Sequence, residues 1–378
     1  MAATVRITRD GHLDRITPDP ASGAATGPSV LDGDPGVDVA VLEVAGGHLT
    51  WSVLAPAAPP VAVLDDADLA QEWVWAVYGE RVALALADGG GVVDGTEPAL
   101  PALAASARRL AYAHWAARWW PASVIDSIPP LDGHLLDREI AELTEACDPL
   151  FAGRDDPADT AFDIDIDAVG IEHPLPRPGD YALTAGPEAS EVPSDGLTLA
   201  RGTGGLDWRR CPPGLVDASE RAVSWEVVRA AARTTVMVQV VAAPGPALAD
   251  RRLTPRAAVS GVADPLDIGL RRVADAWLGD ARVSGVEGVP GTGTGMAVDV
   301  YLPGFGPPVR PGPGDRLTTD RRPTDRRPTD RLTRERLTRE RIRDLARARL
   351  AGARNGSTAG HGAPLLAEIA AASDDSDF

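Results

Sequence analysis

The residues best typed and spaced for chemistry lie between 134 and 167. His134 and Asp137 stand three apart on a predicted helix, with Glu145 further along it. A histidine and a carboxylate at that spacing share a helix face and can hold a metal or relay a proton. A hydrolase-type enzyme using His134 and nearby carboxylates is one reading of the chain. The same residues also fit an ordinary helix start, because Asp132-Gly133 precedes them and polar side chains are common in a first turn.

Asp163, Asp165 and Asp167 form an alternating acidic string. A calcium loop of the EF-hand type requires glycine at its sixth position and glutamate at its twelfth. Here Ala168 and Pro174 occupy those positions, so that loop is excluded. Phe162, Ile164 and Ile166 alternate with the acids, the pattern of a strand with one solvated face. No tight divalent-ion binding is expected there.

Cys211 follows Arg209-Arg210, whose charge would favour a thiolate. A nucleophile also needs a base. None of the six histidines is spaced to serve, so Cys211 is expected to be a buried, inert thiol, as free cysteines commonly are. The only other cysteine is Cys147, and two thiols make neither a disulfide framework nor a zinc site.

Trp115, Trp119 and Trp120 flank Arg118. Trp115 and Trp119 fall on a helical stripe and are expected in the core. Trp120 lies off it and is the candidate exposed partner contact. The glycine-rich stretches 202–205 and 291–295 do not join a strand to a helix, so a nucleotide-binding reading fails. No cofactor is expected.

These residues need elements to position them. Alternation predicts strands over 4–9, 37–41, 49–53 and 61–64, with a hairpin turn at Gly46-Gly47. Helices are predicted over 67–78, 100–120 and 133–150, and a strand over 81–87. From residue 197 the chain changes to short apolar runs at 197–200, 222–230, 235–242, 257–262, 268–273, 277–283 and 296–302. Turn residues separate them, a pattern that predicts a β-sandwich-like domain. The fold class expected is therefore α+β. Its parts are a mixed N-terminal domain over 1–151, an Asp/Pro/Gly-rich linker over 152–196, the β domain over 197–303, and an extension over 304–378.

The extension carries a five-residue repeat. An acid stands at 315, 320, 325, 330, 335 and 340, and an arginine follows each. The whole chain has a formal charge of −18 over 378 residues, and every basic side chain is arginine. Residues 315–354 carry +7 and 355–378 carry −4, which leaves −21 on 1–314. Five residues advance about 140° around a helix, so the repeat by itself builds no fixed face. A solvated, basic extension follows, and a chain ending at 310 is expected to keep its cooperative melt.

Such an acidic body repels nucleic acid and anionic membranes. The extension has recurrent acids and no aromatics, unlike a nucleic-acid arm. A protein partner is expected instead, contacted through Arg321, Arg322, Arg326, Arg327, Arg331 and Trp120. The reading that follows is a non-enzymatic interaction or accessory subunit of a larger cytoplasmic assembly, for instance one centred on an ATPase. A nucleic-acid-associated protein that binds through the arginine-rich extension is the third reading. No apolar run reaches the ~20 residues that cross a bilayer, and the N-terminus has no signal-peptide pattern.

Overall fold

The computed structural model describes residues 3–19, 36–55, 58–152, 196–231, 233–245, 254–261, 265–283, 296–306, 328–356 and 362–374. It mixes helices with mainly antiparallel sheets, an α+β arrangement. Two compact units result. One comprises residues 1–118, 131–163 and 338–378; the other comprises 119–130 and 164–337.

The first unit is built on a six-stranded sheet. Its strands are β1 (Ala3–Asp10), β2 (Leu13–Pro18), β3 (Val39–Val44), β4 (Gly47–Ser52), β5 (Val61–Leu64) and β6 (Gly91–Thr96), in the order β3-β4-β5-β2-β1-β6. Every pairing is antiparallel. The hairpin at Gly46-Gly47 joins β3 to β4, with Val44 opposite Gly47. All four residues of β5 are buried, which is why that run reads as continuously apolar. β2 instead alternates, burying Ile16 and also Asp14, which Arg9 grips through two hydrogen bonds of 2.7 and 2.8 Å.

Helices α1 (Ala67–Tyr78), α2 (Glu80–Ala87), α3 (Pro101–Trp119), α4 (Gly133–Ala146) and α5 (Asp148–Phe151) follow. Asp66 caps α1 by accepting from the amides of Asp68 and Leu69. Trp73 on its buried face donates to the carbonyl of Ala45 at 2.7 Å. On α3, Ala107, Leu110, Ala111 and Trp115 are buried, and the Trp115 indole donates to Val37 O at 2.8 Å. A large aromatic with a satisfied N–H supplies the bulk that an alanine-rich helix lacks.

Residues 81–87, expected as a strand, are helical in α2. Alternation would bury Val82, Leu84 and Leu86 together. Instead Val82, Ala83 and Leu86 are buried, while Leu84 is 57% exposed. That is helical spacing, which a short apolar run does not distinguish from a strand. Gly79 makes the break between α1 and α2. Its φ is +92°, and a Cβ there would come within 2.3 Å of Glu97 O. Only glycine meets both conditions.

The larger difference is at the C-terminal end. Helix α6 (Pro328–Arg354) begins within the repeat and runs past it, and α7 (Leu366–Asp374) follows. Pro328 opens α6, where a missing N–H costs nothing. Arg339, Ile342, Arg343, Leu345, Ala346, Arg349 and Leu350 are buried. Their three- and four-residue spacing makes the helical face that the five-residue period alone does not supply. The face lies at the end of the repeat, where the period gives way to Ile342-Arg-Asp-Leu345. The buried residues of 339–350 and 365–372 therefore belong to the first unit's core rather than to a solvated extension.

The second unit holds two sheets. One contains β7 (Leu197–Thr203), β9 (Val223–Ala230), β10 (Arg233–Val241), β13 (Arg271–Val273) and β14 (Ala276–Val283), in the order β13-β14-β10-β9-β7. The other contains β8 (Gly205–Leu206), β11 (Arg256–Ser260), β12 (Leu266–Gly269) and β15 (Ala297–Tyr301), in the order β12-β11-β15-β8. Only β15–β8 is parallel. β10 buries Thr234, Val236, Val238 and Val240, the period-two pattern of a half-buried strand. Asp217 is fully buried and accepts from Ser123 Oγ and Val124 N, each at 2.7 Å, which fixes the 123–128 turn.

Candidate functional site

The site that stands out is a cluster of charge inside the first unit. Helix α3 presents Arg108, Arg109 and Tyr112 within little more than one turn. Arg349 comes from α6, Glu139 from α4 and Glu368 from the first turn of α7. Glu368 is 0% exposed, and the Arg349 side chain is 5% exposed. Their contact is bidentate: Arg349 Nε donates to Oε1 at 2.5 Å and Nη2 to Oε2 at 2.6 Å. The Tyr112 hydroxyl donates to Glu368 Oε1 at 2.8 Å, and the Arg349 guanidinium lies 4.2 Å over the Tyr112 ring. Glu368 Oε2 also accepts from Leu365 N at 2.7 Å, so the glutamate closes the start of α7 as in a capping box.

A second pair backs the first. Arg109 Nε donates to Glu139 Oε1 at 2.7 Å, and Glu139 Oε2 accepts from Leu366 N at 2.7 Å. Arg109 also donates to the carbonyls of Ala363 and Pro364. Both carboxylates are thus saturated by charged and backbone donors, the condition under which buried ions are tolerated.

Arg108 differs from its neighbours. It makes no hydrogen bond or ion pair with any described residue. It lines a cavity of about 680 Å³ together with Arg109, Arg349 and Tyr112, whose apolar wall includes Trp51 and Pro60. Partial burial, and then the charge of Arg349, lower the Arg108 pKa. A guanidinium nonetheless stays protonated at neutral pH. Burial also lowers the Arg349 pKa, but the hydrogen bond and charge of Glu368, with Tyr112 and Glu139, outweigh it and leave a net rise. Burial, followed by the Glu368 charge, pushes the Tyr112 hydroxyl well above its usual range. No carboxylate, histidine or cysteine lines the cavity among the described residues. Its chemistry is that of guanidinium donors and a few hydroxyls against an apolar wall.

The residues singled out in the sequence lie elsewhere. His134, Asp137 and Glu145 are all exposed on α4, and Asp163, Asp165 and Asp167 fall outside the described residues. Among the described residues no group of three or more His, Cys, Asp and Glu is placed to hold a metal. Trp120, expected to be exposed, is 6% exposed. Its indole donates to Pro129 O at 2.9 Å, within the turn that follows α3. A satisfied, buried indole offers no stacking platform. Arg321, Arg322, Arg326 and Arg327 lie outside the described residues, and Arg331 falls at the start of α6.

Both cysteines are buried. Burial pushes the Cys147 thiol up to about 11 and the Cys211 thiol up to about 12, the latter against an opposing pull from Arg210. Neither thiol is expected to react with iodoacetamide at pH 8 in the native protein, whereas both should react in denaturant. Rapid native labelling of Cys211 would contradict its burial.

His48 on β4 has a buried Nε2 with no hydrogen-bond partner. Burial lowers its pKa, while Asp65 and Glu43 act in the opposite direction. A histidine held below its unfolded value of 6.5 costs the fold nothing above that pH. Below it, the unfolded chain takes up the proton first, so stability falls. Urea unfolding at pH 7.5 and pH 5.0 should therefore show a smaller acid loss for His48→Asn than for the unaltered chain. Equal losses would contradict the assignment.

Sequence reading missed Glu139 and Glu368. One signal was available for Glu368: it is the only charge in Leu365-Leu366-Ala367-Glu368-Ile369-Ala370, and an acid in so apolar a segment implies a buried partner. Among the described residues no helix is long and apolar enough to cross a membrane. No protein-family model, no curated protein and no solved structure matches the chain.

Proposed function

We propose that the protein acts by binding rather than by turning over a substrate, as a non-enzymatic accessory subunit of a larger cytoplasmic assembly. The observation that carries this reading is the cavity beside Arg108. Its charged side chains are all guanidinium donors, those of Arg109 and Arg349 already committed to glutamates, and an apolar wall stands beside them. Concave, mostly apolar places with a few oriented polar groups are the usual form of a recognition site. Leu69, Trp75 and Leu84 support the same reading. They are 46, 41 and 57% exposed on α1 and α2, and exposed large apolar side chains are frequent where proteins meet.

The finer features of the reading belong with it. The two sheets of the second unit act as a sandwich-like module. Arg321, Arg322, Arg326, Arg327 and Arg331 make salt-sensitive contacts with an acidic protein surface rather than sequence-specific contacts with DNA. The test is affinity capture from the native host with the tagged full chain. A protein retained in constant ratio should be lost with Arg108→Glu, and weakened both by neutralising the four arginines at 321, 322, 326 and 327 and by raising salt from ~50 to ~200 mM. If no protein is retained in constant ratio, or the chain turns over a substrate through His134, the reading fails.

A further inference from the structure

The charges around the cavity are unbalanced. Among the described residues, Arg108, Arg109 and Arg349 supply three positive charges, and Glu139 and Glu368 supply two negative ones. The two glutamates are matched one to one with Arg109 and Arg349. The remaining charge sits on Arg108, and the strongest charged neighbour acting on it is a like charge, Arg349. A partly buried guanidinium facing a second cation is unfavourable unless an anion joins them. The body as a whole is acidic, so the cation is a local feature and not part of a basic surface.

We propose that this cavity takes a small ligand carrying a single carboxylate on an apolar body, with Arg108 as its anchor. One uncompensated charge calls for one negative charge. The planar fork of a guanidinium matches a carboxylate in two parallel hydrogen bonds. Trp51, Pro59, Pro60 and Val77 supply the apolar wall for the rest of the molecule. The volume of about 680 Å³ lies within the ~300–1,000 Å³ typical of small-molecule sites. Arg109 and Arg349 play a different part. Held and neutralised by their glutamates, they fix the walls without needing the ligand.

This proposal rests on the reading that the first unit binds rather than catalyses, and it is tested separately from partner capture. Calorimetry would titrate n-octanoate, octanamide and octyl phosphate into the purified full-length chain and into Arg108→Gln. Octanoate should bind saturably, at least ~10-fold more tightly than the isosteric neutral octanamide, which is the size expected of one charge-assisted contact. Arg108→Gln should erase that preference, and Arg108→Lys should restore part of it. Equal affinity for octanoate and octanamide, tighter binding of octyl phosphate than of octanoate, or no saturable binding of octanoate would overturn the proposal. Should Arg108→Gln fail to fold, the octanoate–octanamide comparison on the unaltered chain decides. Failure of the unaltered chain to retain any protein, with the titration intact, would instead count against the accessory-subunit reading alone.

Discussion

Replacing Glu368 by alanine is expected to destabilise the first unit by about 3–5 kcal/mol, the range for removing one member of a buried ion pair. The carboxylate is 0% exposed and accepts from Arg349, Tyr112 and Leu365. Without it, Arg349 is left as a buried cation facing Arg108, and the start of α7 loses its acceptor. Because most of the penalty comes from the charge left behind, Arg349→Met combined with Glu368→Ala should be less damaging than Glu368→Ala alone. Urea unfolding of the unaltered chain and the two variants measures this. A single-variant loss below about 1 kcal/mol, the size of an exposed pair, would mean that the pair is solvated.

Ending the chain at residue 310 should unfold the first unit. The removed segment buries Ile342, Leu345, Leu350 and Leu365, which are 0, 7, 4 and 0% exposed. At about 1.5–3 kcal/mol for each large aliphatic side chain, that is roughly 6–12 kcal/mol. A whole domain is stable by only about 5–15 kcal/mol, and Tyr112 would also lose Glu368, Arg109 the carbonyls of Ala363 and Pro364, and Glu139 the amide of Leu366. In the truncated chain, proteolysis should cut rapidly within residues 58–152, which are expected to resist it in the full chain. A truncated chain as resistant as the full one would restore the solvated extension expected from composition.

Much of the fold was legible because period decides it locally. The hairpin at Gly46-Gly47, helix α1 behind Asp66, and the seven apolar runs from residue 197 onward each correspond to elements of the structure. The run expected over 268–273 is two strands, β12 and β13, broken at Leu270. β2 and β6 were missed because glycines and charges lie among their apolar residues, and among the described strands β6 pairs only with β1. α2 was misread because the short apolar run 82–87 fits both periods. The candidate site was hidden for a different reason. Its members lie at 108, 109, 139, 349 and 368, and no local pattern joins them. The repeat also drew attention to charge in the wrong register. Arginines inside it look uniformly solvated, yet Arg349, just past it, is drawn into the core by Ile342, Leu345 and Leu350 on the same helix.

Among the described residues Arg108 is the unpaired cation of the proposed anion site, while Arg109 and Arg349 are already engaged. Side-chain nitrogen NMR of the three guanidinium groups tests this most directly. On addition of n-octanoate, the Arg108 Nε–H resonance should shift saturably, whereas those of Arg109 and Arg349, held by Glu139 and Glu368, should barely move. An unmoved Arg108, or equal shifts at all three, would contradict the account.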